Sequence, residues 1–380
     1  MLKNQYGQYL LKVIDEKKQE LDSDTFRDKG IMNMIYIGII CPSEIAFRRF
    51  LPALTNAVNG NKFHFVGIAI ASPIEWFGDL SKVSEEQIDE QQSKEKEKAQ
   101  SFIDSYGGHI FNSYTDIVTS DEIDAVYIPL PPALHYKWAK LALENGKHVM
   151  VEKPSTTCYN DTKALIDLAG ENNLALHENY MFVFHKQINE INQIICDGTT
   201  IGKPKLYRIT FGFPRRALND FRYNKKLGGG ALLDAGGYTI RYAIELLGDT
   251  ARVTTASVGY DPDFEVEIFG AATMVNDDGM TAQLAFGMDN DYRCDLEVWG
   301  TKGTLTTGRI LTAPVGYEPK YTLKQNQEYS EHSLSEDDAF GKSLERFAAC
   351  IENAEIRKEN YVILERQEKL VQQFKDITGV

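Results

Sequence analysis

The apolar run Val149-Met150-Val151 ends on Glu152-Lys153-Pro154, so a carboxylate and an ammonium stand where a strand stops. In an open α/β sheet, ligands bind outside the carboxyl ends of the strands, which puts this pair where a cofactor and a reacting carbonyl would meet. Pro154 fixes one backbone angle and ends the strand. Downstream, Leu227-Gly228-Gly229-Gly230-Ala231-Leu232-Leu233-Asp234-Ala235-Gly236-Gly237-Tyr238 is a glycine-rich entry into an apolar helix. Asp234 and Tyr238 stand four apart, a spacing that puts both on one helix face. In isolation the segment reads as a flexible loop and a helix with routine local bonds; paired with Glu152-Lys153-Pro154 it reads as chemistry. The chemistry is hydride transfer coupled to a proton: Lys153 stabilises the oxyanion growing on a carbonyl, Tyr238 (free pKa about 10) donates the proton, and Asp234 orients Lys153 or a substrate hydroxyl.

The elements around these residues alternate. Strand patterns cover Ile35 to Ile40, Phe63 to Ala71, Ala125 to Ile128, His148 to Val151 and Leu174 to His177. Helical patterns cover Glu44 to Val58, a long polar stretch ending near Tyr106, Pro132 to Glu144 and Tyr159 to Glu171. This alternation predicts right-handed crossovers and a doubly wound parallel sheet over residues 31–178. Residues 1–30 carry apolar positions spaced as one amphipathic helix, an extension outside the core fold. After residue 179 come β-branched and aromatic strands: Lys205 to Phe213, Arg252 to Tyr260, Phe264 to Thr273, Met280 to Gly287 and Cys294 to Trp299. They predict an α/β second domain over residues 179–380 with a large open, mostly antiparallel sheet, closed by a C-terminal helix from Tyr361 to Ile377.

The first strand-to-helix turn is Gly38-Ile39-Ile40-Cys41-Pro42-Ser43-Glu44-Ile45-Ala46, where a dinucleotide fingerprint would place glycines at positions 41 and 43 and a small residue at 46. Only Ala46 fits. Ser43 at the middle position holds a pyrophosphate a little further off or offers its hydroxyl as donor. After the second strand, Ala71-Ser72-Pro73 lacks the acidic residue that takes the ribose 2′-hydroxyl of NAD, which favours NADP(H), with NAD(H) as the alternative. Ser72 can bond a 2′-phosphate, and Arg48 or Arg49 can supply charge. The charged segment from Ser84 to Lys98 reads as a solvated helix face, with Lys98 reaching a cofactor phosphate as the other reading.

Composition bounds the function class. The chain has 380 residues, 43% apolar and 25% charged, enough for two ordinary soluble domains. Its 41 Lys plus Arg against 55 Asp plus Glu leave a net charge of −14, a field that repels nucleic acid and anionic membrane surfaces. An anionic ligand therefore needs a local basic pocket, and Arg215, Arg216 and Arg222 before the glycine run are candidates for a diphosphate. The cysteines Cys41, Cys158, Cys196, Cys294 and Cys350 are scattered and form no CxxC pair, which argues against a disulfide framework and a zinc site. No apolar leader or run of about 18 apolar residues is present. A cytoplasmic enzyme is the expectation.

Several motifs together carry a resemblance: Tyr127-Ile128-Pro129-Leu130-Pro131, His135-Tyr136, Glu144-Asn145-Gly146-Lys147-His148-Val149, Glu152-Lys153-Pro154 and Gly300-Thr301-Lys302-Gly303-Thr304-Leu305. From about Ile35 to the C-terminus the chain resembles the glucose-fructose oxidoreductase and inositol dehydrogenase family. That resemblance implies a Rossmann domain, then an α/β domain whose open sheet often serves oligomerisation, here a homodimer or homotetramer. It implies a nicotinamide nucleotide contacted by Cys41, Pro42, Ser43, Glu44, Ile45, Arg48, Ser72, Pro129, Leu130, His135, Glu152 and Lys153. Glu44 to Leu54 and the stretch from Phe211 to Tyr223 resemble the sugar 3-ketoreductases of nucleotide-linked deoxysugar pathways, which use NADPH, with Lys153 and Tyr238 as the polar groups at the carbonyl. The alternatives are a dehydrogenase of a free sugar, cyclitol or dihydrodiol, and a non-catalytic nucleotide or sugar sensor. The sensor has no need for Lys153 and Tyr238 together. Where the family carries Arg and Pro near His-x-Gln, this chain reads Met181-Phe182-Val183-Phe184-His185-Lys186-Gln187, and His185 reads as structural.

Overall fold

The computed structural model describes residues 34–380; the helix expected over residues 1–30 lies outside them. Six parallel strands, β1 (Ile35–Ile40), β2 (Phe63–Ala69), β3 (His109–Phe111), β4 (Ala125–Ile128), β5 (His148–Val151) and β6 (Leu176–Glu178), lie in the order β3-β2-β1-β4-β5-β6. The order reverses between β1 and β4, and at such a switch point the crossovers diverge to leave a crevice above the strand ends. The central strands are buried on both faces, as Ile37, Ile39, Ala125, Tyr127, Met150 and Val151 show, because helices cover the sheet on both sides.

The helices in chain order are α1 (Leu51–Leu54), which continues a π turn over Ala46–Phe50, then α2 (Pro73–Phe77), α3 (Glu85–Tyr106), α4 (Tyr114–Thr119), α5 (Pro132–Glu144), α6 (Tyr159–Glu171), α7 (Lys186–Cys196), α8 (Gly237–Leu247), α9 (Ala339–Glu352) and α10 (Ala354–Thr378). The first helix stops at Leu54 rather than Val58. There Asn56 turns the chain, its Oδ1 accepting from Val58 N and Asn59 N at 3.0 and 2.8 Å. The edge strand β3 and the short α4 have no periodic signature, since three and six residues are too few to show one.

The second sheet has eight strands: β7 (Pro204–Gly212), β8 (Arg252–Tyr260), β9 (Glu267–Val275), β10 (Thr281–Gly287), β11 (Arg293–Gly300), β12 (Thr304–Gly308), β13 (Lys320–Gln325) and β14 (Glu328–Ser333). Their order is β14-β13-β12-β11-β7-β10-β9-β8, antiparallel except where β7 and β10 run parallel. Along β9, Ile268, Ala272 and Met274 turn inward while Phe269 is exposed, the period-2 alternation of a half-covered sheet. Ile240, Tyr242 and Ile244 of α8 and Leu370, Val371 and Phe374 of α10 fill the inner face.

The last two helices tie the halves together. Phe340, Leu344 and Phe347 of α9 enter the core beside β1 and β2, and Leu364 of α10 joins the core on the opposite face of that sheet. The cleft between the two sheets thus has walls anchored on both.

Candidate active site

A cleft of about 700 Å³ opens at the carboxyl ends of β1, β4 and β5. Its floor is the turn Cys41, Pro42, Ser43, Glu44 and Ile45, with Arg48 beyond; Pro129 and Leu130 come from the end of β4, Glu152 and Lys153 from the end of β5, and Arg222 and Asp234 from the second half of the chain.

The turn after β1 explains how cysteine stands where a fingerprint has glycine. Cys41 has a φ of +84°, the left-handed region that glycine ordinarily serves. Burial pushes its thiol up to about 11, against a hydrogen bond from Tyr114 that pulls it down, so Cys41 is held as a neutral thiol. Ser43 Oγ accepts from Ala46 N at 3.3 Å, which leaves the hydroxyl hydrogen available as a donor. First-turn amides and a spare hydroxyl at a helix start are what a pyrophosphate binds, so this floor fits a dinucleotide.

Two of the three expected catalytic residues, Lys153 and Asp234, line the cleft, and the third, Tyr238, lies next to Lys153. Lys153 Nζ donates to Asp234 Oδ1 at 2.7 Å and to the Asp234 carbonyl at 3.0 Å. Its third N–H has no acceptor among the described residues. The same ammonium sits 4.9 Å from the centroid of the Tyr238 ring. That ring is packed by Phe211, Tyr180 and Phe182 at centroid distances of 5.1, 5.2 and 5.7 Å, and its hydroxyl has no hydrogen-bond partner among the described residues. Burial, helped by the negative charges of Glu152 and Asp234, pushes the phenol well above its ordinary range, so it holds its proton. Burial works against ionising Asp234, but Lys153 and Arg222 outweigh it and hold the carboxyl down to about 2. Asp234 sits in a π turn, Leu232–Gly236, from which α8 continues to Tyr238.

Glu152 is fully enclosed. It accepts from Tyr127 Oη at 2.6 Å and Asn179 Nδ2 at 2.7 Å, Ser343 Oγ donates to Asn179 Oδ1 at 2.8 Å, and His177 Nε2 lies 2.9 Å from Ser343 Oγ. Burial outweighs those bonds and raises its pKa. This chain of side chains runs from β4 and β5 to α9, a long-range arrangement with no sequence signal.

Five expected ligands are not on the cleft wall: Tyr238, packed among the aromatic rings of Phe211, Tyr180 and Phe182, and four more. Ser72 is the N-cap of α2, its amide donating to Glu75 Oε2 at 2.9 Å in a capping box. His135 is fully buried between two carbonyls, Nδ1 at 2.7 Å from Pro154 O and Nε2 at 2.6 Å from Leu130 O. Arg215 is shared between Asp261 and Asp289, both at 2.7 Å. Arg216 is exposed, 5.5 Å from the Phe213 ring. In exchange the cleft wall includes Phe47, Phe221 and Lys98, which motif reading passed over or ranked as solvated. The signal for Lys98 was its neighbours: Glu95, Ala99 and Phe102 form the buried stripe of α3, and Lys98 borders it.

The glycine run is not a loose loop: Gly228 and Gly229 line the cleft and are closely packed behind it. Gly228 has a φ of +79°, and a Cβ there would lie 2.7 Å from Thr157 Cγ2 and 3.0 Å from Ala133 N. A Cβ on Gly229 would lie 2.4 Å from the Arg222 carbonyl oxygen. Backbone passes so close to α5 that no side chain fits.

Comparison with known proteins agrees with this geometry. Residues 63–180 match the oxidoreductase family with an NAD-binding Rossmann fold, and residues 188–306 match the GFO/IDH/MocA C-terminal domain. A dTDP-3,4-didehydro-2,6-dideoxy-alpha-D-glucose 3-reductase from Actinomadura kijaniata is 33% identical over 327 residues, 86% of this chain and 90% of the relative. The enzyme of the same name from Streptomyces violaceoruber is 34% identical, covering 84% and 85%. The crystal structure of a 3-ketoreductase from Actinomadura kijaniata in complex with NADP and TDP-benzene superposes with a TM-score of 0.80 at 32% identity, covering 91% of this chain and 98% of that one. An aldose-aldose oxidoreductase from Caulobacter crescentus, at 19% identity and a TM-score of 0.75, shares the fold. A Rossmann sheet followed by an open second sheet thus goes together with the matches to both domains, and the chain belongs to the Gfo/Idh/MocA family of oxidoreductases.

Proposed function

We propose that this protein is an NADP(H)-dependent reductase of a keto group on a nucleotide-linked keto-deoxysugar, acting at C3. The observation that carries the reading is that Lys153, on the wall of a cleft that fits a dinucleotide, lies 4.9 Å from the Tyr238 ring, each of the two with a hydrogen-bond donor unclaimed among the described residues. The relatives' names support the substrate class, and the NADP and TDP-benzene complex of the Actinomadura enzyme supports the cofactor and the nucleotide carrier.

Bound NADPH supplies the hydride. Lys153 directs its remaining N–H at the carbonyl oxygen, where a preorganised cation stabilises the charge that develops. Tyr238 delivers the proton, its phenol kept neutral until that moment by its enclosed position. Asp234 holds the ammonium in place. The residues of the turn after β1, with Pro129, Leu130 and Glu152, hold the dinucleotide. For the 2′-phosphate we assign Lys98 and Arg48, each exposed and paired with one carboxylate on its own helix: the buried Glu95 at 2.8 Å and the exposed Glu44 at 2.5 Å. The exposed Arg48 pair contributes little by itself, so a phosphate dianion outcompetes it, and Lys98 keeps two N–H donors beyond the one given to Glu95.

Residues 31–178 then serve as the cofactor domain and residues 179–380 as the substrate and oligomerisation domain of a cytoplasmic homodimer or homotetramer. The outer face of the second sheet, with Phe269 and Trp299 exposed, supports the assembly. The test is a steady-state assay of TDP-linked 3-keto-deoxysugars against free sugars and cyclitols, each with NADPH and NADH. Turnover of the TDP-linked keto sugar with NADPH is expected. Turnover confined to free sugars or cyclitols overturns the reading.

A further inference from the structure

Arg222 stands on the cleft wall among basic residues that a diphosphate would attract, yet two of its three nitrogens are turned to carboxylates of the protein. Its Nε donates to Asp234 Oδ2 at 2.6 Å and its Nη1 to Asp220 Oδ1 at 3.2 Å, and its guanidinium lies 4.7 Å from the Phe221 ring centroid. The result is an alternating row of charges: Asp220, Arg222, Asp234, Lys153. The backbone at Arg222 is held as firmly. Its carbonyl accepts from Gly230 N at 2.9 Å, and only a glycine fits at position 229 beside that oxygen.

Asp234 thereby has one oxygen for each cation. Take Arg222 away and a buried carboxylate turns both oxygens to the one cation that remains, because an unpaired oxygen there is costly. The N–H of Lys153 that faces the cleft is then drawn back to Asp234. We propose that Arg222 is a positioning residue for the reduction, holding the second oxygen of Asp234 so that Lys153 keeps one N–H for the substrate carbonyl. The inference rests on the reductase reading given above.

The experiment compares wild type with Arg222→Gln and Arg222→Lys on the TDP-linked keto sugar, with NADPH binding followed by fluorescence. For Arg222→Gln, kcat is expected to fall roughly 10- to 100-fold, the usual cost of a misplaced group at the reacting centre, while KM stays within about twofold because ground-state binding is untouched. NADPH affinity is expected to hold, which also shows that the variant is folded. Arg222→Lys, or added ethylguanidine with the Gln variant, is expected to restore part of kcat. The acid limb of the kcat profile is expected at higher pH in Arg222→Gln, since Asp234 loses one of the two cations that hold its carboxyl down. A rise in KM of about tenfold or more with kcat kept would make Arg222 a substrate ligand and overturn the inference alone. Wild type inert on every nucleotide-linked keto sugar would overturn the reductase reading and the inference with it.

Discussion

His135 Nδ1 lies 2.7 Å from the carbonyl oxygen of Pro154, the residue that follows Lys153, and the opposite ring nitrogen lies 2.6 Å from the Leu130 carbonyl. One imidazole thus sits between the loop after β4 and the loop after β5, which both line the cleft, and donates to one of the two carbonyls. Burial holds its pKa down to about 4, although both carbonyls pull toward the charged form. A neutral ring donates through one nitrogen only. The expected outcome for His135→Ala is a loss of about 1–3 kcal/mol for the stranded carbonyl, plus the cavity. Urea unfolding measures the first effect, and a weakened NADPH affinity measures the loosened loops.

Lys153→Ala and Tyr238→Phe separate binding from chemistry. Each is expected to lower kcat, with loss of the general acid costing about 10²- to 10⁴-fold, while NADPH affinity stays near wild type. Full activity in Lys153→Ala would remove the lysine from the reaction.

Cofactor choice is expected to follow Lys98 and Arg48. Replacing both with alanine should lower the preference for NADPH over NADH, read as the ratio of kcat/KM for the two, with little change in the NADH value. If Ser72→Ala lowered that ratio instead, the capping role of Ser72 would not be its only one.

Glu368 of α10 is almost fully buried, and its Oε1 has no hydrogen-bond partner among the described residues. Burial first, and the neighbouring Glu178 second, push its pKa well above the carboxylate range. The native state therefore binds a proton that the unfolded chain releases above about pH 4.5. Stability is highest below that pH and declines as pH rises toward the folded pKa. Glu368→Gln is expected to stabilise the protein at pH 8 and to change little at pH 4, by thermal melts across that range. A variant whose melting temperature drops equally at both pH values would contradict this.

Gly229→Ala places a methyl 2.4 Å from the Arg222 carbonyl oxygen, and backbone must move to admit it. We expect lowered stability together with lowered kcat, because the strap that carries Arg222 shifts; the same substitution at Gly198, where a Cβ meets nothing within 4 Å, has no route to kcat.

The alternation of strand and helix signals and Glu152-Lys153-Pro154 at a strand end are local properties, and with the family motifs they were enough to determine the class of fold and the kind of reaction; they also named Lys153, Asp234 and Tyr238 as candidates for its centre. Lys153 and Asp234 are 81 residues apart in the chain, and their hydrogen bond exists because β5 and the entry to α8 face the same cleft. What the fold decided is which polar groups are spent and which are left over. Ser72 goes to a helix cap, His135 to a buried place between two carbonyls, Arg215 to two aspartates and the Nε of Arg222 to Asp234, while Lys98 is delivered to the cleft wall by the buried stripe of α3. Residue type tells what a side chain can bond. Only packing tells which partner it meets, since buried polar groups must be satisfied by whatever the chain brings within about 3 Å.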